Sequence, residues 1–273
     1  MISYIGAFIQ SGCTVEGIKE GKIALAKVFP FSAIVEEEPK EEDHDNKLLY
    51  ENTVTDFLWR LKKTISDANG DFKVIIGGDH SLGIGSVSAN YEDDMMLIWV
   101  DAHGDFNSDK TTITGRIHGM PVATLAGHSS AKLLELCENN YLKPENIVYF
   151  GTRDLDPDEE KLMKECGVKV FGMCHIKENG AHSAIKDVLS YVGNKRLYIS
   201  LDLDSMDPKL VPGVSIPVVD GLSPDDVYCL LDALFNNVDI IGMDLVEYNP
   251  RFDRNDMTLE VIKDIKKLIE KYK

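Results

Sequence analysis

The sequence predicts an α/β fold, a three-layer αβα sandwich around a mainly parallel sheet of about eight strands. Three observations carry that expectation. Apolar runs of strand length recur along the chain, helical spacing separates them, and several end in glycine or acidic residues, as strands do when they deliver loops to one edge of a parallel sheet. No repeat, low-complexity linker or compositional break divides residues 1–273, so one domain is expected.

Ile2 to Ile9 reads as a first strand ending at Ser11-Gly12, Val15 to Val28 as a short helix before Pro30, and Phe31 to Val35 as a second strand. Glu36 to Asp45 is an acidic run, read as a surface loop with no catalytic role for its carboxylates or for His44. Leu48 to Ile65 spaces Leu49, Val54, Phe57, Leu58, Leu61 and Ile65 as an amphipathic helix does. KVIIGGDHS, residues 73 to 81, is a buried strand, a glycine pair suited to a sharp turn, then Asp79, His80 and Ser81, with Ser81 placed to cap the next helix. His80 thereby falls outside the carboxyl end of a strand, where open α/β sheets bind their ligands.

Met95 to Val100 is an unbroken apolar run, as in a strand covered on both faces. Asp101, His103 and Asp105 follow with a period of two, which in an extended chain turns all three to one side. Residues 108 to 119 form a polar loop, and Met120 to Ala126 a helix. Asn146 to Phe150 and Val168 to Phe171 are further strands; His175 and His182, beyond them, read as surface or packing histidines. RLYISLDLDSMDP, residues 196 to 208, repeats the alternating pattern with Ser200, Asp202 and Asp204. IIGMDLVEYNP, residues 240 to 250, is an eighth strand ending in Glu247, and Thr258 to Tyr272 a closing helix with lysines in its last turns.

Buried aspartates on central strands are costly unless paired, protonated or metal-bound. The strand ends together supply His80, Asp101, His103, Asp105, Asp202 and Asp204, a set whose crowding implies a cation. Six ligands exceed one tetrahedral zinc and suit two metals bridged by carboxylates; an oxygen-rich set with a minority of imidazole favours manganese. Such a pair lowers the pKa of a bridging water enough to give hydroxide near neutral pH.

Composition narrows the partners. With 46 acidic against 29 basic residues and a net charge of -17, the chain lacks the basic surface that non-specific nucleic-acid binding needs. MISYIGAFIQSG has no basic n-region and too short an apolar run to span a bilayer, so neither signal peptide nor membrane helix is expected, and the protein is read as cytoplasmic. Five cysteines without a CxxC pair suit reduced, mostly buried thiols rather than a disulfide frame or a zinc site.

GGDHS, DAHGDFN, SLDLDSMDP and DLVEYNP, in this order, resemble the four signature segments of the ureohydrolase family, which comprises arginase, agmatinase and formimidoylglutamase. The likeness runs from Gly77 to Pro250. It implies a single three-layer domain with two Mn2+ per chain on the six residues just named, a small guanidino or formimino substrate, and assembly as a homo-oligomer, trimer or hexamer. HGMPV at His118 resembles the arginase form of its loop. Asn107, Thr112 and Thr114 fall where arginases hold the substrate's α-carboxylate, and Asp156 where they hold the α-amino group. These matches imply hydrolysis of arginine to ornithine and urea.

Agmatinase and formimidoylglutamase activities are the alternatives, because PGVSIPV, residues 212 to 218, resembles formimidoylglutamases and puts Ile216 where arginases carry threonine. By the same likeness Glu247 would hold the guanidinium through parallel N–H bonds, Asp105 would pass a proton toward the leaving amine, and His118 would shuttle protons. Asp79 and Asp207 would orient ligands or bond turns. A single-zinc deacetylase-like hydrolase and a non-catalytic binding protein are the readings from other classes.

Overall fold

The computed structural model describes residues 1–40 and 47–273. The later part of the acidic run, Glu41 to Asp45 with His44, lies outside the described residues. Eight strands form one sheet: β1 (Ile2–Phe8), β2 (Ala33–Glu36), β3 (Phe72–Ile76), β4 (Met96–Val100), β5 (Ile147–Phe150), β6 (Lys169–Phe171), β7 (Leu197–Asp202) and β8 (Ile240–Val246). Their spatial order is β2-β1-β3-β8-β7-β4-β5-β6, and every pairing is parallel.

The connecting helices are α1 (Gly21–Leu25), α2 (Glu51–Asp67), α3 (Leu82–Ala89), α4 (Pro121–Leu125), α5 (Ala131–Leu134), α6 (Pro157–Cys166), α7 (Met173–Asn179), α8 (Ala181–Val192), α9 (Pro224–Asn237) and α10 (Met257–Tyr272). The strands sort their side chains between two helix layers with a period of two. On β4, Met96, Ile98 and Val100 face the layer of α8, α9 and α10, while Leu97 and Trp99 face the opposite layer. On α2 the expected stripe is realised except at Leu49, which precedes the helix and is half-buried: Val54, Phe57, Leu58, Leu61 and Ile65 are fully buried, and truncating one such leucine to alanine costs about 2–5 kcal/mol.

Several local expectations give way. The helix expected over Val15 to Val28 is a 3-10 turn (Ile18–Glu20) followed by the single turn of α1; Gly17, with φ 107°, breaks helical backbone ahead of them. Ser81 makes no cap; its hydroxyl instead donates to Oδ1 of Asp79 at 2.5 Å. Cysteines are less buried than expected: Cys13 and Cys137 are buried, Cys166 and Cys229 half-buried and Cys174 exposed, although all five are free thiols. The α9 segment escaped the sequence reading, despite a Ser223 cap that accepts from Asp226 N and a proline in its first turn. His175 pairs with Asp187 at the surface and His182 is exposed, as expected.

Candidate metal centre and substrate cleft

The central strands β3, β8, β7 and β4 end side by side, and the predicted residues gather just beyond them. Extended alternation does not bring them together. β4 stops at Val100, and Asp105 adopts a left-handed backbone with φ 48°. β7 stops at Asp202, and Leu203 to Ser205 form a 3-10 turn in which Asp204 N donates to Oδ1 of Asp202 at 2.7 Å. Tight turns converge the carboxylates where an extended chain would have spread them over about 13 Å from the first to the third.

His80 reaches the site through a turn at Gly77 and Gly78, with φ 118° and 52°. A side chain at Gly78 would press against the carbonyl of Ala7 at 2.7 Å. Asp79 turns away and accepts from the backbone N–H groups of Gly12 and Cys13 at 2.9 and 3.1 Å, tying the β1 and β3 loops together. Asp207 likewise accepts from Lys209 N and Asp220 N, a turn contact.

Nδ1 of His80 lies 2.9 Å from Asp101, 3.2 Å from Asp105 and 3.1 Å from Asp202. Nδ1 of His103 lies 3.4 Å from Asp101 and 3.2 Å from Asp204. Two compact groups result, His80–Asp101–Asp202 and Asp101–His103–Asp204, each with one ligand atom per residue within 4.8 Å of the others. Asp101 belongs to both. Asp105 adjoins the first group through its contact with His80.

The hydrogen bonds decide whether a cation fits. Ser200 donates its hydroxyl hydrogen to Asp244 at 2.5 Å, so toward Nε2 of His80, 2.8 Å away, it acts as the acceptor. Nε2 therefore keeps the proton of the neutral imidazole, and in that form Nδ1 presents a lone pair toward the three carboxylates. Nδ1 is buried and makes no hydrogen bond of acceptable geometry to any of them. A cation at that point satisfies the nitrogen and all three oxygens. Asp101 is fixed in turn by Trp99, whose indole N–H donates to it at 2.9 Å, and by His103 N at 2.7 Å.

Protein groups alone leave the cluster far from ordinary titration. Burial opposes charge on His80, yet Asp101, Asp105 and Asp202 hold its imidazole well above the usual range. Burial and the Asp101 charge push Asp105 up to about 6. Burial and Asp204 push Glu247 up to about 8. Asp101 moves the other way: burial opposes, but the imidazoles of His103 and His80 beside it hold it well below the carboxylate range. His118 is lowered, chiefly by burial.

Beside the cluster is a cavity of about 210 Å³ lined by His103, Asp105, Asn107, Thr112, Thr114, Arg116, His118, Gly119, Asp154, Asp156, Glu159 and Ile216. Asn107 and Asp156, from separate elements, meet there at 3.1 Å, and the other amide atom of Asn107, Oδ1, is buried without a partner. The hydroxyls of Thr112 and Thr114 accept from Gly115 N and Arg116 N, which leaves their hydrogens to donate. Glu247 sits deeper, its Oε1 3.7 Å from Nδ1 of His118. It occupies a left-handed backbone, φ 66°, accepts from His80 N at 3.0 Å, and keeps its buried Oε2 unpartnered. A wider recess of about 650 Å³ beside Trp59 and Lys132 contains none of the predicted site residues.

Sequence reasoning missed four participants: Trp99, which holds Asp101, and Asp244, which acts on His80 through Ser200, and Glu159 and Arg116 in the cavity. Asp244 is a carboxylate inside an apolar strand, and that signal was available. Glu159 accepts from Phe106 N and Asp156 N, holding the ligand loop against α6.

The sequence pattern of the Arginase family matches residues 40–268. The chain is 37% identical over 228 residues to the arginase of Staphylococcus aureus, covering 81% of this chain and 75% of that one. It superposes on the crystal structure of arginase from Bacillus subtilis with TM-score 0.88 at 32% identity, covering 99% and 97% of the two chains. It also superposes on the Entamoeba histolytica arginase in complex with L-ornithine, with TM-score 0.86 at 25% identity and 98% of each chain covered. The chain belongs to the arginase family, and it is a hydrolase acting on C–N bonds.

Proposed function

We propose that this protein hydrolyses arginine to ornithine and urea at a centre of two manganese ions. The carrying observation is that Asp101 belongs to two adjacent ligand groups, with the lone pair of His80 aimed into the first. His80, Asp101, Asp105 and Asp202 would hold one ion, and Asp101, His103 and Asp204 the other. When bound, the metal pair supplies a hydroxide nucleophile from water near neutral pH.

The chain's own residues do the rest. Oε2 of Glu247, buried and unpartnered, accepts N–H bonds from the guanidinium and holds its carbon over the centre. Asp105 takes the nucleophile's proton and passes it to the leaving nitrogen of the ornithine side chain. His118, whose pKa burial lowers, takes the other proton, the one that water loses on forming hydroxide, and exchanges it with solvent. Asn107, Thr112, Thr114 and Arg116 receive the α-carboxylate, and Asp156 the α-amino group. Hydrolysis consumes one water and breaks one C–N bond, releasing urea and ornithine; the family structure that holds L-ornithine supports that product.

The sheet's continuity supports a single domain over 1–273. Among the described residues no helix is long and apolar enough to cross a membrane, and the five free thiols suit the reducing cytoplasm. Assembly as a homo-oligomer, a trimer or hexamer, rests on family likeness.

Manganese reconstitution followed by parallel assays on arginine, agmatine, guanidinobutyrate and formiminoglutamate tests the reading, scored separately for urea and formamide. Urea from arginine at the highest kcat/KM is expected; formamide as the main product overturns it. Asp202→Ala is expected to lose manganese and activity together, and full manganese occupancy in that variant overturns the ligand assignment.

A further inference from the structure

A third convergence of ligating atoms lies beside the proposed centre and shares no residue with its six ligands. Cys13, His118 and Glu247 each place one donor atom within 4.8 Å of the other two. They come from three loops: the one after β1, the one before α4, and the end of β8.

We propose that these three side chains form a separate site for one thiophilic divalent cation, zinc or a congener, and that its occupancy closes the active cleft. A sulfur, an imidazole nitrogen and a carboxylate oxygen are the donor types zinc takes, three from protein with a fourth position open. A thiolate selects against manganese, which prefers oxygen. The six-ligand cluster has no sulfur, so the two sites sort metals by chemistry.

Two observations beyond the clustering support a built site. Glu247 is only 3% exposed, its Oε1 lies 3.7 Å from Nδ1 of His118, and its Oε2 is buried without a hydrogen-bond partner, leaving a lone-pair donor free on that carboxylate. The backbones carrying the three side chains are also tied to one another. Gly12 N and Cys13 N donate to Asp79, His118 N donates to the carbonyl of Gly12 at 3.2 Å, and Glu247 N donates to the carbonyl of Gly78 at 2.9 Å. A Cβ at Gly12 would collide with the Asp79 carboxylate, so glycine is what allows the Cys13 loop to come this close. The donors thus require little ordering on binding.

Burial and the Glu247 and Asp79 carboxylates hold the Cys13 thiol well above its usual range, with Arg116 opposing; coordination forms a dative sulfur–metal bond as that thiol releases its proton to solvent, so occupancy rises with pH. The effect on turnover rests on the function proposed above: a metal here engages the carboxylate that would hold the guanidinium and the imidazole that would move the proton. Inhibition is therefore competitive with the guanidino substrate. The absence of a CxxC pair hid this site in the sequence, because its ligands are separated by 105 and then 129 residues.

The test uses manganese-loaded full-length protein titrated with Co2+ as a spectroscopic substitute for zinc. The expected result is a near-ultraviolet thiolate-to-cobalt charge-transfer band that saturates at one equivalent, is bleached by zinc, and is absent in Cys13→Ser and Cys13→Ala. No such band in the unaltered protein, or a band that persists in both variants, overturns the proposal. In parallel, the zinc concentration that halves arginine hydrolysis should rise at least tenfold in Cys13→Ser; equal sensitivity overturns the inhibitory role. The cobalt band needs no turnover, so failure of this site and failure of the arginine reading are read separately.

Discussion

Trp99 donates its indole N–H to Oδ2 of Asp101 at 2.9 Å and lays the same ring against the imidazole of His80, with centroids 3.8 Å apart and planes 10° from parallel. One buried side chain thus fixes two of the proposed ligands, the carboxylate by a hydrogen bond and the imidazole by stacking.

Trp99→Phe separates these contributions, since it keeps an aromatic face for His80 and removes the donor to Asp101. Manganese affinity is expected to fall about tenfold to hundredfold, measured by titration of the metal-free protein. Unchanged affinity would reduce Trp99 to a space-filling role.

His118 stands apart from the six proposed ligands and beside Glu247. His118→Ala should lower kcat by about 10²–10⁴ while two manganese ions per chain are retained, read by metal analysis of the variant used for kinetics. Loss of metal in proportion to activity would make it a ligand instead.

Among the described residues Arg116 is the only lysine or arginine that lines the cavity, where Asp105, Asp154, Asp156 and Glu159 supply four carboxylic acids. An amino-acid substrate brings an α-carboxylate that needs such a cation, and agmatine does not. Arg116→Ala should raise KM for arginine by about tenfold to hundredfold, the worth of a charged hydrogen bond, and leave KM for agmatine within twofold. Arg116→Lys should recover part of the loss, and equal effects on both substrates would remove Arg116 from carboxylate recognition.

Glu159 gives a pH signature. Burial, with the Asp105 charge nearby, outweighs its bond from Phe106 N and pushes its carboxyl from 4.5 up to about 7. The unfolded chain loses this proton near 4.5 and the folded protein near 7, so between those values unfolding releases a proton and stability falls as pH rises. Denaturant unfolding of the metal-free protein should show this decline, on the order of a few kcal/mol, and Glu159→Gln should flatten it. Identical slopes for the two proteins would show that Glu159 titrates normally.

The sequence was most informative where apolar runs met clustered charge. Each strand was placed within about two residues because burial on both faces leaves continuous Val, Ile and Leu runs. His80, Asp101, His103, Asp202 and Asp204 were expected together and lie together. The route was misread: period-two alternation suggested an extended chain, whereas a left-handed Asp105 and a 3-10 turn at Leu203 bring the carboxylates in. Conformations of this kind depend on contacts between loops, as with Ser81, whose hydroxyl chose Asp79 over a helix cap. Trp99 was invisible as a ligand-orienting group for a similar reason. In a buried strand an indole reads as packing until its N–H partner is seen.

The position of β8 has a consequence for biosynthesis. His80 follows β3, while Asp101 and Asp202 belong to β4 and β7, and β8 is the strand that joins these two halves of the sheet. As the chain leaves the ribosome, β8 emerges after the seven other strands have been made. Until then His80 has no sheet pairing that brings it to Asp101 and Asp202, whereas Asp101, His103 and Asp204 follow β4 and β7, which pair directly. The His80–Asp101–Asp202 group is therefore the later of the two to be assembled.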